Sequence, residues 1–195
     1  QTCALPISDL TIACMRVPLA EARSFGVMAV DGEQRILEFH EKPAHPKPMP
    51  GDPHGALVSM GIYVFNADLL AESLHEDNAR EDSSHDFGKD VIPRLIDTHR
   101  VFAYPFGGDR GRVTPDRYWR DVGTIEAYFD AQMDLCNVAP QLNLYRRDWP
   151  TYTLWHNDPP AKTVFSEHDG RLAEVTDSLL CPGVVVSGGS VRRSI

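Results

Sequence analysis

The sequence lacks the cysteine patterns that build metal sites or disulfide frameworks. Its four cysteines, Cys3, Cys14, Cys136 and Cys181, lie far apart in 195 residues and show no C-x-x-C spacing. This spacing argues against zinc motifs and a small disulfide scaffold, and it indicates reduced thiols in a cytoplasmic protein. No apolar run reaches the roughly 20 residues of a membrane-spanning helix, and the start lacks the basic-then-apolar order of a secretory signal. We therefore expect no membrane partner.

Basic residues are too few for a general nucleic-acid surface. The formal net charge is −9, whereas binding along a nucleic acid needs a clustered basic face. We therefore expect no nucleic-acid partner. Glycine-rich phosphate loops of the Walker or Rossmann type are absent from the sequence, and so is the G-x-S-x-G elbow of hydrolases. The eight histidines show no metal-ligand spacing.

Apolar segments that alternate between strand and helix patterns predict an α/β fold on a mostly parallel or mixed sheet. Strands are expected at 10–17, 57–65 and 101–106, with a strand-like start at 118–122 and a hairpin at 26–39. An Asp-Gly turn signal at Asp31 and Gly32 lies within this hairpin. A helical turn ends at Gly26, a residue that is able to adopt a positive φ there.

Three helices are predicted from polar residues that stand just before apolar stripes. Asn66, Asp86 and Thr124 are the expected N-caps. Leu69, Leu70 and Leu74 form the stripe of the first helix, and Val91, Ile92, Leu95 and Ile96 form that of the second. The polar stretch "EDSSHDFGKD" is interpreted as a loop that enters the second helix, because it lacks the i, i+4 histidine pair of a metal site.

A six-residue repeat marks the end of the chain. Leu179, Val185 and Val191 are six apart, and so are Gly183 and Gly189. This spacing with small turn residues is typical of a left-handed parallel β-helix, although about two coils are fewer than such repeats need for stability alone. A short β-hairpin is the alternative interpretation.

Two charged residues stand where strands give way to loops. Lys42 follows the hairpin and precedes a proline-rich loop, and an ammonium at such a place suits a phosphate. Asp121 lies beside a Val-Gly-Thr turn and suits Mg²⁺, which takes one or two carboxylates plus substrate phosphates. A solvated lysine and a turn-capping aspartate are the alternatives. The residues alone indicate an α/β domain that binds a sugar phosphate or nucleotide phosphate.

Six motifs in order extend this interpretation: "SFGVMAVD", "EFHEKP", "SMGIYVFNADLL", "SSHDFGKDVIPRL", "YWRDVGTIEAY" and "PPAK". Together they resemble the bacterial glucose-1-phosphate adenylyltransferases, from about Ser8 to Ile195. The resemblance implies part of a nucleotidyltransferase domain, a GT-A or Rossmann-like mixed sheet with helices. The start of a left-handed parallel β-helix follows it. The implied parent is a cytoplasmic homotetramer of glycogen biosynthesis that converts ATP and α-D-glucose 1-phosphate into ADP-glucose and diphosphate with Mg²⁺.

The resemblance also implies roles for individual residues. Lys42 matches the lysine that holds the phosphate of glucose 1-phosphate, and Glu41 matches a carboxylate that hydrogen-bonds the sugar hydroxyls. Ser59 and Gly26 match further contacts to the sugar phosphate. Asp121 matches one of two metal-binding aspartates and is the expected catalytic residue. The pocket lining is expected to include Trp119.

Four segments are expected along the chain. Residues 1–7 are expected to be non-native and derived from a sequencing adapter. Residues 8–145 are assigned to the C-terminal part of the catalytic domain, 146–172 to a linker and 173–195 to the first β-helix coils. The family's glycine-rich signature and first metal-binding aspartate are not found, so we expect this fragment to be inactive alone.

Three other functions remain open at this point. A different sugar-phosphate nucleotidyltransferase would use UTP, CTP or GTP, and a regulatory subunit would bind sugar phosphate without chemistry. A hexapeptide-repeat acyltransferase would need many coils and a histidine between them, but His168 precedes the repeat.

Overall fold

The computed structural model describes residues 8–107, 118–148, 150–154 and 156–195. The predicted adapter segment 1–7 lies outside these residues. The chain divides into two compact units, Gln1–Pro115 and Asp116–Ile195, and each unit is described by itself.

A five-stranded mixed sheet forms the first unit. Its strands are β1 (Leu10–Pro18), β2 (Gly26–Val30), β3 (Ile36–Glu41), β4 (Gly55–Phe65) and β5 (Val101–Pro105). They lie in the order β3-β2-β4-β1-β5. β1 runs parallel to β5 and antiparallel to β4, and β2 runs antiparallel to both β3 and β4. The predicted mixed sheet is therefore confirmed.

Helices cover one face of this sheet. They are α1 (Ala67–Asn78), a π-helical turn (Phe87–Val91) and α2 (Ile92–Thr98), and a short 3₁₀ turn (Ala22–Ser24) also occurs. Adjacent strand residues point to opposite faces, so Leu57 packs with Ile92 and Leu95 in the larger core cluster. Its neighbour Val58 packs with Ala22 in a smaller cluster.

Cys14 lies in the larger core cluster and is fully buried. Burial raises the pKa of this thiol to about 12, so the thiol stays protonated at neutral pH. A protonated, buried thiol is inert, and we assign Cys14 to packing.

The hairpin forms as predicted, but its turn differs from the expected one. Val30 is paired with Ile36, which leaves a five-residue loop. The Asp31 carboxylate accepts hydrogen bonds from the backbone N–H groups of Glu33 and Arg35. Gln34, not Gly32, carries the positive φ, at 68°. An Asx-type loop thus replaces a two-residue turn because the aspartate side chain supplies the acceptor.

Asn66 caps α1 as predicted, because its side chain accepts hydrogen bonds from the backbone N–H groups of Asp68 and Leu69. The predicted stripe is partly wrong. Leu74 is 44% exposed, and the buried residues of α1 are Leu69, Ser73 and Asp77, four residues apart. Ser73 is accommodated because its hydroxyl donates to the Leu69 carbonyl at 2.7 Å.

Removal of the Asn66 cap should destabilise the first unit. We expect Asn66→Ala to lower the free energy of unfolding by about 1 kcal/mol, because two backbone N–H groups lose their acceptor. Urea denaturation followed by circular dichroism measures the change. Glu72→Ala, an exposed substitution in the same helix, is the matched control and should change it by less than about 0.5 kcal/mol. Equal effects of the two substitutions would contradict the capping role.

The second unit begins with an irregular segment and a helix. Residues 118–123 form no strand, which corrects the predicted strand-like start; Arg120, Asp121 and Gly123 stand together there, and they favour a turn. Helix α3 (Ile125–Asp134) follows, and its N-cap Thr124 accepts a hydrogen bond from the backbone N–H of Ala127 at 3.1 Å, as predicted.

Short parallel strands follow in the second unit, as a β-helix requires. They are β6 (Lys162–Val164), β7 (Glu174–Thr176), β8 (Val185–Ser187) and β9 (Ser190–Arg192). β6 pairs with β8 and β7 with β9, both in parallel. β6 lies inside the stretch 146–172 predicted as a linker. The predicted segment bounds remain predictions.

The inward residue of β8 differs from the one that the six-residue repeat indicates. Val185 is 63% exposed, whereas Val186 is 8% exposed. A three-residue strand points its central side chain to one face and its flanking side chains to the other, so Val186 is buried. Within the described residues, no helix has both the length and the apolar character needed to cross a membrane.

Candidate functional site

Glu41 and Lys42 lie at the carboxyl end of β3, at the border of the helix-covered face. Alternation along the strand places Phe39 in the core cluster and Glu41 on the same face, two residues further on. The Glu41 side chain is 19% exposed, and its Oε1 lies 4.0 Å from the Lys42 ammonium. The strand end therefore presents a half-buried carboxylate beside a cation.

Lys42 has an unusual backbone conformation. Its φ is +47°, in the left-handed region that costs roughly 1–2 kcal/mol for a residue with a Cβ. Its N–H donates to the Phe25 carbonyl at 3.0 Å, which holds the residue against the start of β2. The ammonium reaches solvent, since the side chain is 65% exposed. Conformations of this kind are frequent at binding sites, where the surrounding structure enforces them.

Two glycines make room for the Glu41 carboxylate. Gly26 is paired with Glu41 across the strands, and a Cβ at position 26 would meet the Phe39 ring and lie 2.9 Å from Oε2 of Glu41. A Cβ at Gly88 would lie 2.5 Å from the same oxygen. Gly26 begins β2 and does not adopt the positive φ that a glycine would have allowed there. Close approach of side chains is the reason for glycine at this position.

Asp86 brings a second carboxylate to the same place. It is the N-cap of the π-helical turn, where its Oδ1 accepts hydrogen bonds from Gly88 N at 2.8 Å and Lys89 N at 2.9 Å. Burial and the charge of Asp86 raise the pKa of Glu41, whereas Lys42 and Lys89 lower it. Two carboxylates and two ammonium groups therefore act on one another at this strand end.

Ser59 and Tyr63 complete the group from β4. Ser59 is 7% exposed, and its hydroxyl accepts a hydrogen bond from Gly61 N at 3.1 Å. Burial raises the pKa of Tyr63, a hydrogen bond with Ser59 lowers it, and the charges of Glu41 and Asp86 raise it. Tyr63 also packs against the larger core cluster, on the helix-covered face of the sheet.

Phe87 lies against Tyr63, with ring centroids 5.7 Å apart and an interplanar angle of 24°. We call the whole group the Glu41 cluster, and its members are Gly26, Glu41, Lys42, Ser59, Tyr63, Asp86, Phe87 and Gly88. It combines hydrogen-bond acceptors, a hydroxyl, an exposed cation and aromatic faces, which is the chemistry that recognises a phosphorylated sugar.

Asp121 and Trp119 lie in the second unit. The Asp121 carboxylate is exposed, and its Oδ1 accepts a hydrogen bond from Gly123 N at 3.1 Å. Trp119 is half-buried. Lys42 lies in the first unit and Asp121 in the second, and the roles expected of Lys42, Asp121 and Trp119 stay predictions.

The fit of Asp121 to Mg²⁺ follows from its donor chemistry. Among the described residues, no group of three or more His, Cys, Asp or Glu side chains could hold a metal ion by itself. An exposed carboxylate with one oxygen bonded to a backbone N–H suits Mg²⁺, which usually keeps several waters and needs only one or two protein carboxylates. Asp121 therefore fits a magnesium shared with substrate phosphates.

The part of the chain that contains the mixed sheet and the Glu41 cluster matches a known protein family. Residues 6–138 match the nucleotidyl transferase family model, and the chain belongs to that family. Residues 159–195 match the GlmU-like C-terminal hexapeptide model. The predicted fold, a nucleotidyltransferase sheet followed by the start of a left-handed β-helix, is thereby confirmed.

Curated relatives narrow the similarity further. The chain is 52% identical over 191 residues to the glucose-1-phosphate adenylyltransferase of Paramagnetospirillum magneticum. It is 53% identical over 188 residues to glucose-1-phosphate adenylyltransferase 2 of Vibrio cholerae. Each match covers 96% of this chain, but only 44% and 46% of the relatives. The chain thus spans less than half the length of these proteins, and the predicted resemblance to this group is confirmed.

Sequence reasoning missed four members of the Glu41 cluster. Asp86 was predicted only as a cap, and Tyr63, Phe87 and Gly88 were given no role. The signal for Tyr63 was its position four residues after Ser59 on β4. The signal for Gly88 was a glycine at an early position of a predicted helix, where an alanine would normally be favoured.

The raised pKa of Glu41 predicts that its ionisation destabilises the fold. The folded chain binds the Glu41 proton more tightly than the unfolded chain does, so stability falls as pH rises past the ordinary glutamate pKa and levels off above the raised one. We expect Glu41→Gln to be more stable than the unaltered chain at neutral pH and to lose this advantage in acid. Urea denaturation at both pH values measures the difference.

Glu38→Gln is the matched control on the same strand. Hydrogen bonds from Lys47 and His40 lower the pKa of Glu38, so its ionised form favours the folded state above the ordinary glutamate pKa, and this contribution is lost as pH falls. We expect Glu38→Gln to reduce stability at neutral pH. Loss of stability in both variants would contradict the stated cause of the Glu41 shift.

Proposed function

We propose that this chain supplies the glucose 1-phosphate site of a glucose-1-phosphate adenylyltransferase. The whole protein would convert ATP and α-D-glucose 1-phosphate into ADP-glucose and diphosphate, a step towards glycogen. The observation that carries the proposal is the Glu41 cluster, in a chain about half identical to proteins of that name over 96% of its length. A homotetrameric assembly and a cytoplasmic location are proposed on the same similarity.

Six members of the cluster would contact the sugar phosphate directly in this proposal. Lys42 binds the phosphate of the sugar through its exposed ammonium. Glu41 and Asp86 accept hydrogen bonds from sugar hydroxyls, and the Ser59 hydroxyl adds a polar contact. The rings of Tyr63 and Phe87 pack against the apolar surface of the sugar.

The reaction needs alignment and charge neutralisation more than covalent catalysis. A phosphate oxygen of the sugar attacks the α-phosphorus of ATP, and the bond from that phosphorus to diphosphate breaks. Lys42 holds the attacking phosphate in place. Asp121 would hold Mg²⁺, which supplies charge neutralisation on the phosphates, and Trp119 would line the pocket.

The decisive binding experiment is calorimetric titration of the 195-residue chain with α-D-glucose 1-phosphate. The comparison ligands are galactose 1-phosphate, which differs from it only at one hydroxyl, and inorganic phosphate, which lacks the sugar. We expect glucose 1-phosphate to bind most tightly, because the carboxylates of Glu41 and Asp86 accept hydrogen bonds from its hydroxyl groups in their particular arrangement. If inorganic phosphate bound as tightly as glucose 1-phosphate, Lys42 would be a contact for any anion and the sugar would not be recognised. That result would contradict the proposal.

Catalysis is tested on the protein expressed from the complete reading frame that contains this chain. Diphosphate release from ATP, UTP, CTP and GTP with glucose 1-phosphate separates the adenylyltransferase from related nucleotidyltransferases. Preference for another nucleotide would overturn the choice of ATP. Sugar-phosphate binding without turnover would instead identify a regulatory subunit.

Gly88→Ala should damage binding without unfolding the chain. The added Cβ would lie 2.5 Å from Oε2 of Glu41, and the flexible carboxylate would move away and lose its place against the sugar. We expect the Kd for glucose 1-phosphate to rise about tenfold, as for one lost hydrogen bond to a charged group. Gly32→Ala is the matched control, since a Cβ there meets nothing within 4 Å. An unchanged Kd in Gly88→Ala would exclude Glu41 from the site.

A further inference from the structure

A second polar network is centred on Asp77 and reaches the Glu41 cluster through His85, the residue directly before Asp86. Asp77 is the penultimate residue of α1 and is 3% exposed. Its Oδ1 accepts a hydrogen bond from the Ser83 hydroxyl at 2.8 Å and lies 3.6 Å from Nη2 of Arg94. Its Oδ2 lies 2.8 Å from Nδ1 of His85. A buried carboxylate at the negative end of a helix needs such partners.

The proton arrangement of this network follows from the charge of Asp77. Hydrogen bonds from His85 and then Ser83 lower the pKa of Asp77, and burial opposes them. The carboxylate is therefore ionised and can only accept hydrogen bonds, so Nδ1 of His85 is the donor. The imidazole is thus fixed in orientation, although its side chain is 56% exposed.

The backbone of His85 is held in a costly conformation. Its φ is +58°, in the left-handed region that is uncommon outside glycine and in which asparagine, aspartate and histidine are the most frequent exceptions. The His85 N–H donates to the Ser83 hydroxyl oxygen at 3.0 Å. This hydrogen bond and the one to Asp77 therefore anchor a left-handed residue directly before Asp86.

The residues after His85 are those that meet Glu41. Asp86 caps the π-helical turn, and Gly88 lies against the Glu41 carboxylate. The far side of the turn is fixed by Asp90, whose Oδ2 accepts hydrogen bonds from the Ser84 hydroxyl at 2.6 Å and Asp86 N at 3.1 Å. His85 and Ser83 connect the loop before the turn to the buried carboxylate of Asp77, and His85 is the one of the two that directly precedes Asp86.

We propose that His85, anchored by Asp77, is a positioning residue for the glucose 1-phosphate site. It fixes the backbone that presents Asp86 and Gly88 to Glu41, and it acts without touching the sugar. This inference rests on the proposed function and adds a residue to it.

Substitutions at His85 separate its N–H donor to Asp77 from its positive backbone φ. Asparagine keeps an N–H donor near the place of Nδ1 and tolerates a positive φ. Alanine keeps neither property, and glycine keeps only the backbone freedom. His75→Ala, in an exposed position of α1, is the matched control for loss of an imidazole.

Two measurements on the 195-residue chain test the role. Amide hydrogen exchange of Gly88 and Lys89 reports whether the Asp86 cap is held, and it needs no ligand. Calorimetry gives the Kd for glucose 1-phosphate. In His85→Ala we expect exchange at both amides to accelerate and the Kd to rise about tenfold, with both restored to within about twofold by His85→Asn. If His85→Ala does not fold, His85→Gly replaces it.

The outcomes distinguish this inference from the proposed function. Unchanged exchange at Gly88 and Lys89 in His85→Ala overturns the positioning role, and so does faster exchange with an unchanged Kd. Failure of His85→Asn to restore both values also overturns it. If the unaltered chain does not bind glucose 1-phosphate, the proposed function fails, and the role of His85 in that site fails with it. Exchange then still decides whether His85 holds the turn.

Discussion

Lys42→Gln should weaken binding of α-D-glucose 1-phosphate about a hundredfold, because the phosphate dianion loses its ammonium partner. Hydrogen bonds to charged groups contribute about 1.5–3 kcal/mol, and a factor of 100 corresponds to about 2.7 kcal/mol. Stability should change little, since the Lys42 side chain is 65% exposed. Calorimetric titration of the chain measures the Kd.

Lys47→Gln is the matched control for Lys42→Gln. Lys47 lies in the same proline-rich loop, is 61% exposed and pairs with Glu38 at 2.5 Å. The same charge is removed, so a general effect of net charge would weaken binding equally in both variants. We expect the Kd of Lys47→Gln to stay within about twofold, and an equal loss in the two variants would exclude a specific role for Lys42.

Asp121→Asn should abolish most of the turnover of the complete protein. The amide keeps an oxygen for the Gly123 N–H, so the local turn is preserved, but the charge that would hold Mg²⁺ is lost. We expect kcat to fall about a hundredfold to a thousandfold, the range for removal of one strong electrostatic contact to a transition state. Diphosphate release at saturating ATP and glucose 1-phosphate measures kcat.

Asp130→Asn controls for the charge change in the same unit. Asp130 is exposed on α3, and its substitution should leave kcat unchanged. A second measurement uses NMR with Mn²⁺ in place of Mg²⁺. Bound Mn²⁺ should broaden the Gly123 amide signal in the unaltered protein, and this broadening should vanish in Asp121→Asn. Normal turnover in Asp121→Asn would remove Asp121 from the catalytic residues.

The motifs and the resemblance supplied the expected site residues, but strand alternation could have supplied two of them independently. Leu57 and Ser59 share a face of β4, as Phe39 and Glu41 do on β3. A reader of the sequence who placed Leu57 and Phe39 in the core could therefore place Ser59 and Glu41 at its border. Asn66 and Thr124 were predictable as caps, because their side chains bond to nearby backbone groups and need no tertiary information.

Features that depend on distant contacts were not predictable. The role of Gly26 comes from Phe39 and Glu41 on the neighbouring strand, so local rules suggested a positive φ instead. Leu74 fits a helical stripe, but the buried side of α1 carries Leu69 and Asp77 instead, and Asp77 finds its hydrogen-bond partners in the loop that follows. Val186 rather than Val185 is the buried residue of β8. A six-residue period fixes the spacing between buried residues, but it does not fix which residue of each repeat is buried.

The left-handed backbone of Lys42 restricts any redesign of this pocket. A glycine or asparagine at position 42 would relieve roughly 1 kcal/mol of backbone strain. A biosensor for an uncharged sugar needs no ammonium to bind a phosphate, so either replacement would increase the stability of its fold. Engineers who keep the phosphorylated sugar as analyte must instead retain the lysine and accept the strained geometry.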